Sequence, residues 1–197
     1  MPLGAPYFSF DQVTDNLRVT MTTKLPPSND ILNSIQGILF DCDGVLTDGG
    51  LLYDQNGNCM LRFHARDGFG LAIFSKVAGL KAGVLSGRPT AIAEKRFGEI
   101  GVTAFKGSSK DKYNDSLQLC EELSIEPEKT AFVGDDIPDL PAFRAVGLKV
   151  AVGNASEEVK QAADWILQSD GGQGAAREIC ETILRARGDW QAMLERK

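Results

Sequence analysis

The chain has 197 residues, 43% of them apolar, which suits one domain with a buried core. Its formal charge of −6 and isoelectric point near 4.9, without any basic cluster, argue against nucleic acid as a partner. No stretch approaches the ~20 apolar residues of a membrane helix, and Cys42, Cys59, Cys120 and Cys180 lack metal-binding spacing, so a membrane partner is not expected and a reducing, cytoplasmic compartment is.

Residues 1–34 read as an N-terminal extension. They carry Pro2, Pro6, Pro26 and Pro27 and lack the positive start and apolar core of a secretory signal. The expectation is a segment that is flexible or packs locally around Tyr7, Phe8 and Phe10.

The first strong element is GILFDCDGVLTDG, residues 37–49. Ile38, Leu39 and Phe40 make a short continuous apolar run, the pattern of a strand buried on both faces. At its carboxyl end, where open α/β sheets place their chemistry, stand Asp41 and Asp43. One carboxylate can attack phosphorus, and a second two residues on can protonate the leaving alkoxide and then deprotonate water. An isolated Asp-x-Asp is more often an Asx turn. This one is followed by further elements of matching chemistry.

Residues 51–53 and 59–63 flank Gln55-Asn56-Gly57-Asn58, a hairpin signal that leaves no room for an inserted domain. The next segment, HARDGFG, holds the only histidine, His64, followed by Ala65, Arg66, Asp67 and Gly68. A second apolar strand then ends in Ser86-Gly87-Arg88, whose hydroxyl and amides suit phosphoryl oxygens. Arg66, Arg88 and Arg96 offer planar guanidinium forks for a substrate carboxylate.

Lys112, at the start of a helical pattern, can neutralise both a phosphate and the Asp41 carboxylate, with Lys110 as a nearby rival. A carboxylate facing a phosphate meets repulsion of roughly 4 kcal/mol per charge pair at 4 Å and an effective dielectric near 20, so a cation must lie between them. Magnesium takes oxygen ligands and needs one or two further carboxylates. TAFVGDDIPDL, residues 130–140, brings Asp135, Asp136 and Asp139 to the exit of a third buried strand. Asp135 is the expected direct ligand and Asp136 the water-mediated one. The helix expected over 175–187 places Ile179, Ile183 and Leu184 on one face, read as core.

Strand-DxDGVLT, strand-SGR, a downstream lysine and strand-GDD, in this order, resemble the four motifs of the haloacid-dehalogenase-like hydrolases. HARDGFG and GGQGAARE (171–178) further resemble segments of the capless 3-deoxy-D-manno-octulosonate 8-phosphate phosphatase family. The resemblance covers about residues 35–187. It implies an α/β fold, a Rossmann-like doubly wound parallel sheet with a β-hairpin (about 50–63) in place of a cap, occupying residues 35–188 before a short tail, 189–197. It also implies Asp41 as nucleophile, Asp43 as acid/base, Ser86 and Lys112 on the phosphate, and magnesium held by Asp41, the Asp43 carbonyl and Asp135. Substrate contacts are implied for His64 to Gly68, and a homotetramer whose hairpins assemble it and whose C-terminal segments reach a neighbour's site. Where the family often carries a basic residue after Arg-Asp-Gly, this chain reads Leu71, Ala72, Ile73. A nine-carbon ulosonate 9-phosphate is therefore the alternative substrate, and a non-catalytic oligomerisation module the alternative of another class.

Overall fold

A computed structural model describes residues 23–88 and 91–195. Six parallel strands form the central sheet: β1 (Gly37–Asp41), β4 (Lys81–Leu85), β5 (Ala104–Lys106), β6 (Thr130–Gly134), β7 (Leu148–Ala151) and β8 (Trp165–Ile166). Two further strands, β2 (Leu52–Tyr53) and β3 (Cys59–Met60), make a separate antiparallel hairpin. The sheet order is β5-β4-β1-β6-β7-β8. All five residues of β1 and of β6 are buried, as their unbroken apolar runs require of central strands covered on both faces.

The chain steps from β1 outward to β4 and β5, then returns to place β6 on the other side of β1. The strand order therefore reverses between β1 and β6, the switch point at which doubly wound sheets open a crevice. The helices form two packed groups. On one side, α2 (Ala65–Ala72), running into a π-helical turn at Ile73–Val77, packs on α7 (Ala175–Ala186) and α3 (Ala91–Ile100), with α1 (Asn29–Ser34) and α8 (Asp189–Leu194) against α7. The second group is α4 (Lys112–Leu123), α5 (Leu140–Phe143) and α6 (Glu157–Ala162). Right-handed crossovers set these groups on opposite faces of the sheet.

Helix α7 buries Ala175, Ala176, Ile179, Cys180, Ile183 and Leu184, so the apolar face expected from the sequence is core. Within the tail expected over 189–197, Asp189–Leu194 form α8, where Trp190 is buried and stacks under the Arg177 guanidinium at 4.5 Å. Much of the N-terminal extension lies outside the described residues, including Tyr7, Phe8 and Phe10. From residue 23 onward the chain packs on the domain: the Ile166 amide donates to the Lys24 carbonyl, Lys24 Nζ donates to two carbonyls at the end of α6, and Leu32 is buried.

Candidate active site

The two loops at the switch point build the site. After β1 the backbone turns at Gly44, whose φ of 93° favours glycine, and Thr47 ties the turn together. Its buried hydroxyl accepts from the Gly44 and Gly49 amides and donates to the Cys42 carbonyl. A Cβ on Gly44 would run into the Asp135 carboxylate, so the β1 and β6 loops meet in direct contact. After β6, Asp135 and Asp136 lead into a 3₁₀ turn, Ile137–Asp139.

These loops and the start of α4 bring four charged groups together. Asp41, Asp135 and Asp139 each offer a carboxylate oxygen, all within 4.8 Å of one another. Lys112 Nζ donates to Asp41 Oδ1 and to Asp139 Oδ1, both at 2.6 Å, from a side chain only 9% exposed. Asp111 caps α4 by accepting from the Asn114 amide, which fixes where Lys112 begins the helix. Burial, reinforced by the Asp139 charge, pushes the Asp41 carboxyl up to about 7 against the pull of Lys112. Burial followed by Asp139 and Asp41 pushes Asp135 up to about 8. Burial works against the Lys112 ammonium, but Asp41 and Asp139 outweigh it and hold its pKa above the ordinary value. Three carboxylates, those of Asp41 and Asp139 buried and that of Asp135 half-buried, against one ammonium leave surplus negative charge, and the all-oxygen donor set suits a hard divalent cation.

The group differs from expectation in its third acid. Asp136, expected beside the metal, is exposed, and its Oδ1 caps the following turn by accepting from the Ile137 amide at 2.8 Å. Asp139 takes the inner place: one oxygen receives Lys112, and the other accepts from the Asp135 amide at 2.9 Å. Within a run of acids, composition does not distinguish the two. The four-residue spacing from Asp135 to Asp139, one turn, was the available signal.

A cleft of about 550 Å³ opens over this group, and its lining includes Asp41, Asp43, Gly87, Arg88, Lys110, Lys112, Asp135, Asp136, Asp139 and Arg144. Arg88 Nη1 lies 3.7 Å from Asp43 Oδ1, and neither atom has a hydrogen-bond partner although both are buried. Ser86 sits beneath the loop, not on the cleft wall; its hydroxyl accepts from the Arg88 amide at 3.1 Å and donates to the Arg88 carbonyl. Cys42 is buried between the two acids, and burial pushes its thiol up, which removes it from redox or nucleophilic work.

The Arg-Asp-Gly segment lies elsewhere. His64, Asp67, Gly68 and Arg96 line a separate small pocket, while Ala65 and Arg66 are exposed at the start of α2. Asp67, expected on the substrate, is buried and caps α7: its carboxylate accepts from the Gly174 amide at 3.2 Å and the Arg177 amide at 2.8 Å. Arg96 pairs with Glu99 at 3.1 Å and its guanidinium covers Gly68. The GGQG segment packs against the β1 loop: the Gly172 amide donates to the Val45 carbonyl at 2.8 Å, and a Cβ on Gly171 would strike the Gly44 carbonyl.

A doubly wound parallel sheet with paired acids at one strand exit, a carboxylate cluster at its neighbour's and a lysine bridging them defines a phosphoryl-transfer hydrolase of the α/β class. Residues 101–179 match the haloacid dehalogenase-like hydrolase family. A 3-deoxy-D-manno-octulosonate 8-phosphate phosphatase from Haemophilus influenzae is 41% identical over 157 residues, 80% of this chain and 87% of the relative. The phosphatase of the same name from Escherichia coli K12 is 34% identical over 83% of this chain and 88% of its own length. The crystal structure of the phosphatase of that name from Moraxella catarrhalis, in complex with magnesium, phosphate and the ulosonate, superposes with a TM-score of 0.80 at 33% identity, covering 84% of this chain and 95% of that one. The chain belongs to the haloacid-dehalogenase-like hydrolases, in the 3-deoxy-D-manno-octulosonate 8-phosphate phosphatase family.

Proposed function

We propose that the protein hydrolyses 3-deoxy-D-manno-octulosonate 8-phosphate to the free ulosonate and inorganic phosphate, with Mg2+ as cofactor and the cytoplasm as its compartment. The observation that carries the reading is the Lys112 bridge between Asp41 and Asp139 beside Asp135, at the floor of a cleft that also holds Asp43 and Arg88. The named relatives support the choice of substrate.

In this reading Asp41 Oδ2 attacks the phosphorus, since Oδ1 is held by Lys112, and an aspartyl-phosphate forms as the ester oxygen departs. Asp43 gives that oxygen its proton and then takes one from the water that hydrolyses the intermediate. Asp43 lines the cleft, and its Oδ1 lies 3.7 Å from Arg88 Nη1 without a hydrogen-bond partner. The amides near Gly87 and the Lys112 ammonium receive phosphoryl oxygens, while the Ser86 hydroxyl, expected there, holds the Arg88 backbone and so shapes that loop. Asp41, Asp135 and the Asp43 carbonyl would hold magnesium, and Asp136 would help to orient it. When bound, the ion neutralises charge between these carboxylates and the phosphoryl group.

Arg88 is the guanidinium placed to take a distal substrate group from within the same chain. Among the described residues no cap covers the cleft, so a homotetramer closes it, with His64, Ala65, Arg66 and Arg96 acting across a subunit contact and Gly68 packed beneath Arg96. Exposed Leu51, Leu52, Tyr53 and Met60 on the hairpin supply apolar surface for that contact. The test is phosphate release with magnesium from the eight-carbon 8-phosphate, two nine-carbon ulosonate 9-phosphates and an aryl phosphate. A kcat/KM at least tenfold higher for the eight-carbon ester is expected. Preference for a nine-carbon ester overturns the substrate, and release from none overturns the enzyme.

A further inference from the structure

The β2–β3 hairpin reaches the chemistry through one side chain. Arg88 extends from the loop after β4 with its two terminal nitrogens pointing to different elements: Nη1 toward Asp43 Oδ1 at 3.7 Å, and Nη2 onto the hairpin. There Nη2 donates to Cys59 Sγ at 3.6 Å and approaches the Tyr53 hydroxyl at 3.4 Å. Tyr53 and Cys59 are directly opposite each other across the hairpin ladder, so both contacts come from one cross-strand pair. A sulfur acceptor at this distance is within its usual range, and a guanidinium held at one end by two acceptors loses rotamer freedom before substrate arrives. Among the described residues, Arg88 makes no other side-chain hydrogen bond, so the hairpin is what fixes its direction.

We infer that Cys59, with Tyr53, is a positioning residue that holds the Arg88 guanidinium between Asp43 and the distal end of the substrate. The inference rests on the phosphatase reading of the site. Cys59 touches neither the reacting atoms nor the carboxylate cluster; it acts through Arg88. It also differs from the other thiols: Cys42, Cys120 and Cys180 are buried, while Cys59 is half-buried on the hairpin. A reagent adding bulk to Cys59 Sγ would displace Arg88 without entering the metal group.

A double-mutant cycle tests this, because residues in one hydrogen-bonded chain couple whereas independent sites add. Cys59→Val removes the acceptor at the cost of one added methyl group; Cys59→Ser retains an acceptor without added bulk. Measured on the eight-carbon 8-phosphate and on an aryl phosphate, Cys59→Val is expected to lower kcat/KM for the sugar ester by about three- to tenfold. Most of the loss should fall in KM, and Cys59→Ser should recover activity to within about twofold. In an Arg88→Ala background, Cys59→Val should change nothing further. Equal fold losses in both backgrounds, or no loss in the wild-type background, would overturn the inference. The aryl phosphate keeps the two readings separable: normal hydrolysis of both esters by Cys59→Val overturns the inference alone, whereas wild-type hydrolysis of the aryl ester without the sugar ester overturns the substrate assignment and the inference with it. Release from neither ester would overturn both.

Discussion

Lys112 Nζ stands 2.6 Å from Asp41 Oδ1, although 71 residues separate them in the chain. The same nitrogen holds Asp139, so one ammonium orders two of the three clustered carboxylates. Removing it leaves buried negative charges without a partner, which costs about 3–5 kcal/mol in comparable buried pairs. Lys112→Met should therefore lower kcat by at least ~100-fold and reduce thermal stability more at pH 8 than at pH 6, where protonation relieves the repulsion. Steady-state kinetics and calorimetry at the two pH values check this; an equal loss of stability at both would count against the charge argument.

The carboxyl groups of Asp41 and Asp135 lie near 7 and 8 in the folded chain against an ordinary value of 3.8. Between about pH 4 and pH 8 the folded state thus binds more protons at these groups than the unfolded state does. Their contribution to stability is present at low pH and is lost as pH rises through that window. In chelator, the melting temperature of the wild type should fall more steeply from pH 5 to pH 8 than that of Asp135→Asn, and magnesium should raise it more at pH 8. Parallel profiles for the two proteins, with a magnesium shift independent of pH, would show that the cluster does not carry the effect.

Gly44→Ala places a methyl group against the Asp135 carboxylate at a φ of 93°. Backbone strain of about 1–3 kcal/mol is expected, together with a loss of magnesium affinity. Gly57→Ala is the matched control, since Gly57 has a φ of 81° and open space around it. It should strain the hairpin turn and leave magnesium binding intact. Titration calorimetry on both variants separates strain from the contact; equal affinities in the two would remove the role assigned to Gly44.

Leu52 is 56% exposed on the hairpin, within the apolar surface proposed to join subunits. Leu52→Glu is expected to shift the assembly toward smaller species by light scattering and to lower kcat/KM for the sugar ester. A wild type that is monomeric at working concentration would remove the basis for closure by neighbours.

The strands that carry the chemistry were legible because each is a continuous apolar run ending in polar residues: β1 before Asp41, β4 before Ser86 and β6 before Asp135. The hairpin was legible in its turn, where Asp54 Oδ1 accepts from the Asn56 and Asn58 amides and Gly57 takes positive φ. Strand β8 was not, since two residues at the sheet edge carry no period. Asp67 was read as a substrate group, but it caps a helix whose amides lie 107 and 110 residues later, a pairing that no local pattern encodes. The contacts of the GGQG segment with the β1 loop, set by the return of α7 to the sheet, are likewise encoded in no local pattern. Truncation before Gly171 would therefore remove a core helix and could not isolate a role in substrate selection.

The most direct test of the account is to trap the phosphoenzyme. Protein mixed briefly with magnesium and eight-carbon substrate carrying radioactive phosphate would be quenched in acid and digested, and the labelled peptide sequenced. Label on the peptide containing Asp41, absent in Asp41→Asn, is the predicted result. Rapid turnover with no protein-bound phosphate, or label on a peptide containing Ser86 instead, would contradict it.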